Sequence, residues 1–369
     1  MRIDAITIRE IQMPLVHPFE TSFGRTTARR IILVTAHCGS IDGWGECTAG
    51  EHPFFSEEST DTAWHVLRDY LAPMLLGKSF EYAHESVSVI ERARANRMAK
   101  AALENALWDA EAQHRNVPLW QLIGGTFDEI ACGVSIGIQP SLDHLVGKVE
   151  TEVVAGYQRI KVKVKPGWDI DVLSRLRHHW PNILLSCDAN SAYTLDQIDH
   201  LRKFDQFRLL MIEQPLWSDD IHSHARLQAE LETSLCLDES IRHHRDAAAA
   251  LDLGACRIIN IKLGRVGGFS EAQRVEHLCR SHGVPVWCGG MLESGIGRSH
   301  NIAMSTLPGF TLPGDVSASA RYWHEDIIEP EVTVSKKGTI AVPQAAGRGF
   351  NIKEALVEKL AVRKEVLRA

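Results

Sequence analysis

Lys163, Asp188, Glu213 and Asp238 stand 25 residues apart, and the interval drifts only to 24, 26 and 27 at Lys262, Cys288 and Asp315. Each lies at the end of a short apolar run: Arg159–Val164, Ile183–Asp188, Leu209–Glu213, Leu235–Asp238, Arg257–Lys262, Val284–Cys288 and Phe310–Asp315. An eighth run, Ala131–Ile138, precedes them. Polar stretches of helical length separate the runs. One strand, one helix and two short loops occupy about 25 residues, so the rhythm is that of repeated βα units. Strands joined by helices run parallel, and eight of them with both faces buried predict a closed barrel. The spaced residues then mark the C-terminal strand ends, where enzymes of this fold carry their chemistry. Charges at such interior positions need a reason, because an unpaired buried charge costs several kcal/mol.

The chain has 369 residues, more than the roughly 200–250 that a barrel needs. Ahead of the barrel, Ile3, Ile6 and Ile8 and the run Ile31–Ala36 predict antiparallel strands, and residues 56–125 read as helical. Arg97–Arg115 spaces Met98, Ala101, Ala102, Ala106, Trp108 and Ala110 as one helix. The sequence Asn116-Val117-Pro118 stops it; a short helical turn over Leu119–Ile123 and the pair Gly124-Gly125 follow. The expected organisation is α/β: an α+β capping domain over 1–125, a TIM-type (β/α)7β barrel over 126–321, and a segment 322–369 that returns to the cap. That last segment holds a strand-like run, Glu331–Val334, and a charged final helix, Lys353–Arg368.

Composition narrows the functional classes. The apolar share of 44% and charged share of 24% are ordinary for globular proteins. A net charge of -7 gives no basic footprint for nucleic acid or an anionic membrane. Arg2, Asp4, Arg9 and Glu10 interrupt the first apolar residues, so neither a signal peptide nor a membrane span is expected. The eight cysteines form no CxxC pair and read as reduced, buried thiols of a cytoplasmic protein. No HExxH or Cys/His spacing supports zinc; His222, His224, His243 and His244 are expected on exposed surfaces. A homo-oligomer between dimer and octamer is the expected assembly.

The chemistry follows from the strand ends. Asp188, Glu213 and Asp238 come from three adjacent strands and repel one another unless a cation holds them. All-oxygen ligation favours Mg2+, with Mn2+ or another divalent ion as substitute, and leaves positions for substrate. In Arg159–Val164, Lys161 and Lys163 share one face of the strand; Lys262 shares its face with Asn260. Lys163 and Lys262 lie on strands flanking the carboxylates on opposite sides. Between a dication and another lysine, either can act as a general base near neutral pH. Such a set suits abstraction of a proton α to the carboxylate of a small anionic substrate, with the metal stabilising the enediolate.

At these residues the sequence resembles the enolase superfamily, and within it the muconate-lactonising subgroup that contains o-succinylbenzoate synthases and N-succinylamino acid racemases. The resemblance spans nearly the whole chain. It is carried by PLVHPFETSFG at 14–24, KVKVKPGWD at 161–169 and DANSAY at 188–193. IEQPL at 212–216, LDES at 237–240 and KLGRVGG at 262–268 continue it. WCGGMLESGIGRSHN at 287–301 and PGDVSASARYW at 313–323 complete it. The resemblance implies that Asp188, Glu213 and Asp238 are Mg2+ ligands, and that Lys163 and Lys262 are acid/base groups on the two faces. It implies that Lys161 neutralises the substrate carboxylate and lowers the pKa of Lys163. Ser135, Asn190, Gly290 and Met291 match pocket positions, Glu293 sits on the same loop, and Phe19, Ser22 and Phe23 match a loop that closes over substrate. Such a lid would exclude water from the carbanion.

The resemblance implies two reactions for this site. In the synthase reaction, a step of menaquinone biosynthesis, Lys163 removes a proton syn to a leaving hydroxyl and then protonates it. In racemisation Lys163 and Lys262 act as two bases. Arg265, three residues after Lys262, is a nearby cation that would favour neutral Lys262. A sugar-acid dehydratase would carry His and Asp where Lys262 and Cys288 stand. A dipeptide epimerase would carry a second aspartate where Ser317 follows Asp315-Val316. A muconate cycloisomerase shares the lysines and ligands. A non-catalytic metal-binding relative is the alternative from another class, and a Schiff-base aldolase would use one lysine without the three carboxylates.

Overall fold

The computed structural model describes residues 1–22 and 24–369. Three long strands open the chain: β1 (Ala5–Glu20), β2 (Arg25–Cys38) and β3 (Ile41–Cys47), paired antiparallel in that order. β-Branched Ile6, Ile8, Ile31, Ile32 and Val34 suit the pleat and are fully buried. Gly39, in the left-handed region at φ +64°, makes the tight turn from β2 to β3. Helix α1 (Arg97–His114) lies across β3. Gly43 and Gly45 let it approach: a Cβ on either would strike the carbonyl of Ala106 or Ala102.

The barrel sheet runs in chain order: β4 (Gly133–Ile136), β5 (Arg159–Lys163), β6 (Leu184–Asp188), β7 (Ile212–Glu213), β8 (Leu235–Leu237), β9 (Ile258–Ile261) and β10 (Val286–Cys288). All neighbours are parallel. The connections carry α2 (Leu142–Val154), α3 (Ile170–His179), a broken helical stretch over 195–207, α4 (Ile221–Glu230), α5 (His244–Asp252) and α6 (Phe269–Ser281). Helix α7 (Gly295–Met304) follows β10.

The last run, Phe310–Asp315, is not a ladder strand. Phe310 makes one bridge to Val286 and Gly314 one to Cys132. Pro313 has no N–H to donate, which breaks the ladder between them. The backbone still links both edges: Asp315 N–H donates to Cys288 at 2.7 Å and Gly133 N–H to Gly314 at 2.6 Å.

Two expectations for the C-terminal segment fail. Glu331–Val334 forms no strand, because its Val332 exchanges hydrogen bonds with Ser319 instead. The final helix ends early: α8 (Glu354–Leu360) gives way to β11 (Ala361–Arg368), which pairs antiparallel with the free edge of β1. That edge would otherwise present unpaired N–H and C=O groups, and its demand overrides the helical composition. Cap and barrel are clasped by buried acid side chains that accept from helix N-terminal N–H groups. Glu46 of β3 accepts from Ser294 and Gly297 at the start of α7, and Glu104 of α1 from Phe269 and Ser270 at the start of α6.

Candidate active site

The register puts the spaced residues in one row. Lys163 is opposite Asp188 and Asp188 opposite Glu213, while Asp238 and Lys262 sit one residue beyond β8 and β9. All are buried. Alternation sends Lys161 and Lys163 to the barrel interior. Lys161 donates to Glu213 at 2.6 Å and to Asp315 at 2.9 Å. Lys163 donates to Asp188 at 2.6 Å and to Asn190 Oδ1 at 2.7 Å. Lys262 donates to Asp238 at 2.7 Å, and Arg265 pairs with the other Asp238 oxygen. Arg265 also donates to the Ile241 carbonyl at 2.7 Å, which ties it into the loop after β8.

The electrostatics are those of crowded charges. Burial and then Asp188 push the Glu213 carboxyl up to about 8, against the pull of Lys161. Burial works to raise Asp188 as well, but Lys163 and Lys161 outweigh it and hold that carboxyl well below its usual range. Asp238 is likewise lowered, burial being outweighed by Lys262 and Arg265. Burial lowers Lys262, yet Asp238, Glu213 and Glu239 carry its pKa above the ordinary value. Arg265 pulls Lys262 in the expected direction but loses to the three carboxylates.

The donor set fits a hard divalent cation. It offers only carboxylate oxygens, from consecutive strands, with repulsion strong enough to shift Glu213. Each carboxylate is turned onto an ammonium group. Among the described residues, the trio whose ligand atoms lie within 4.8 Å of one another is instead His243, His244 and Glu271. There His244 Nδ1 is 2.7 Å from Glu271, whose other oxygen accepts from Arg274 at 3.1 Å.

A cavity of about 520 Å3 opens over Lys163 and Lys262, walled by Phe19, Phe55, Asn190 and Met291. Gly290 also borders it. Ser22 Oγ donates to the Asn190 carbonyl at 3.4 Å, joining the N-terminal loop to the strand ends. Phe23 lies outside the described residues. Ser135 is buried opposite Lys161 with no partner for its hydroxyl among the described residues. Glu293 turns from the cavity toward α7 and accepts from Asn301 at 2.9 Å.

Several residues at the site were given no role by the sequence. Asn260 Nδ2 donates to the second Glu213 oxygen at 2.7 Å; its shared face with Lys262 was the available signal. Asp315 pairs with Lys161 and Arg159, and the ring of Trp287 faces both cations at 4.6 and 4.5 Å. Glu239 accepts from Asn190 Nδ2 at 2.8 Å. His224 is a correction: it is fully buried, its Nδ1 at 2.7 Å from the Asp220 carbonyl while Nε2 accepts from Leu216 N–H. A polar loop over β7 needed an acceptor there, and the ring supplies it.

A parallel barrel with three carboxylates between two lysines, beneath an α+β cap, defines a class of proton-moving barrel enzymes. The chain belongs to the enolase superfamily: residues 3–124 match the mandelate racemase / muconate lactonizing enzyme N-terminal domain, and residues 144–356 the enolase C-terminal domain-like family. It is 52% identical over 360 residues to an o-succinylbenzoate synthase, a lyase, of Geobacillus kaustophilus, covering 97% of this chain and 96% of that one. It is 44% identical to an N-succinylamino acid racemase, an isomerase, of Thermus thermophilus, covering 98% and 97%. A solved enolase-superfamily structure from Listeria innocua superposes with a TM-score of 0.96 at 37% identity, covering 100% and 99%.

Proposed function

We propose that the protein catalyses Mg2+-dependent proton transfer at the carbon α to a carboxylate, as an o-succinylbenzoate synthase, an N-succinylamino acid racemase, or both. The observation that carries this is the pair Lys163 and Lys262, which border one cavity from either side of Asp188, Glu213 and Asp238. The relatives named for both reactions support it.

Asp188, Glu213 and Asp238 would hold Mg2+, which when bound supplies Lewis-acid stabilisation for charge on a substrate carboxylate. Lys161 adds a fixed cation beside that carboxylate. Lys163 takes the α proton. In dehydration the electron pair left on carbon forms the double bond as hydroxide departs, and Lys163 returns the proton to it as water. In racemisation Lys262 delivers a proton to the opposite face and Lys163 keeps the one it took. Phe19 and Ser22 close the N-terminal side against water, while Asn190, Ser135, Gly290 and Met291 shape the pocket. The barrel over 126–321 carries this chemistry, and the cap built from 1–125 and 322–369 covers it. No helix among the described residues is long and apolar enough to cross a membrane. Eight buried, unbridged cysteines favour a reducing compartment, the cytoplasm. Self-association, dimer to octamer, is read by light scattering.

The test is incubation with Mg2+ and each substrate, scoring dehydration and racemisation separately. Lys163→Ala should lower both by about 10²–10⁴-fold; retention of either removes the role given to Lys163. Lys262→Ala should abolish racemisation, and unchanged racemisation would disprove the two-base scheme. Chelation should abolish both activities, and added Mg2+ should restore them.

A further inference from the structure

We propose that Phe55 is a positioning residue for Lys262: its ring fixes that ammonium group on one side of the cavity and so sets the rate of proton transfer on that side alone. The proposal rests on the two-lysine reading above. Lys262 Nζ stands 4.4 Å from the centre of the Phe55 ring. An ammonium group removed from water is attracted to an aromatic face. Lys262 needs such a second hold. Its carboxylate partner Asp238 is shared, with one oxygen on Lys262 and the other on Arg265. A long lysine stem has many rotamers and is placed only as firmly as its partners place it.

The opposite lysine is held by other means. Lys163 donates to both Asp188 and Asn190, and among the described residues no aromatic ring faces it. Phe55 also divides space. It borders the substrate cavity with Lys262, and on its other side a cavity of about 230 Å3 with Glu239 and Arg265. The segment 51–57 that carries it has no helix or strand, so the ring couples the placement of this loop to one lysine and not the other.

The test compares Phe55→Leu, which keeps an apolar wall without a ring, with Phe55→Tyr, which keeps the ring. Exchange of the α hydrogen with D2O is followed for each enantiomer of N-succinylphenylalanine in the Mg2+-loaded enzyme. The enantiomer whose exchange is lost in Lys262→Ala reports on Lys262, and the other on Lys163. Phe55→Leu should slow the first about 3- to 30-fold and the second less than about twofold, the span of a desolvated cation–π contact. Phe55→Tyr should restore the wild-type ratio. Equal slowing of both, or no slowing, overturns the proposal, since a purely structural wall would serve both faces alike. A second readout needs no turnover. In the metal-free protein, labelling by trinitrobenzenesulfonate, mapped by mass spectrometry, should rise severalfold at Lys262 in Phe55→Leu and stay constant at Lys163. Unchanged Lys262 labelling overturns the proposal even if substrate is turned over. A wild-type enzyme inert toward both enantiomers removes the two-lysine reading instead, and the labelling result then decides the placement of Lys262 by itself.

Discussion

His300 is wholly buried, edge-on to Phe269, and neither ring nitrogen has a hydrogen-bond partner among the described residues. Burial lowers its pKa from 6.5 to about 4. The unfolded chain therefore takes up this proton before the native one does. Stability from the neutral ring is complete above 6.5 and is lost as the pH falls toward 4. A fall from 6.5 to about 4 sets the full loss at about 3 kcal/mol. His300→Leu gives up no hydrogen bond, so its thermal midpoint should fall less than that of the wild type over that range; parallel curves would contradict the argument. Nothing around residue 300 in the sequence announces this, because a histidine reads alike in solvent or in a core. Lys161 and Lys163 were legible for the opposite reason: a two-residue alternation allows one assignment of faces.

At the scale of the element, period and turn chemistry carried most of the fold. The 25-residue rhythm located six strands, β5 to β10, to within a few residues, the run Ala131–Ile138 located β4, and the apolar spacing of Arg97–Arg115 located α1. The failures sit where an element answers to its neighbours. Phe310–Asp315 has the composition of a strand, but Pro313 and its position at the barrel seam reduce it to two bridges. Residues 361–368 have the composition of a helix end, yet become β11 because β1 has an open edge. The contact of α1 with β3 depends on glycine in the same way. Gly45 has no room for a Cβ beneath the Ala102 carbonyl. Gly45→Ala should therefore separate helix from sheet and destabilise the protein by about 1–3 kcal/mol or more, read from the denaturant midpoint. A change of only a few tenths would mean that the layers part freely.

The whole molecule is held across its two layers by buried acids. Glu46 caps α7 from β3, and burial, opposed by its bonds to Ser294 and Gly297, pushes its pKa up to about 8. The native state then holds this proton more tightly than the unfolded one. Its contribution is full below 4.5 and declines as the pH rises toward 8, the reverse of His300. Glu46→Gln keeps an acceptor and removes the titration, so the variant should lose less stability than wild type between pH 5 and 8. A steeper loss would show that the carboxylate charge is what the helix N-terminus requires. The sequence by itself determined the repeated βα units and the row of charges at their strand ends, because periodicity and alternation are local or regularly repeated constraints. Tertiary structure alone decided which groups meet across the molecule. It turned each carboxylate onto its lysine, set Phe55 over Lys262, sealed His224 and His300 from water and gave β1 its last partner. Those contacts join residues distant in the chain, and their free energies depend on burial and on unpaired edges that exist only once the layers have packed.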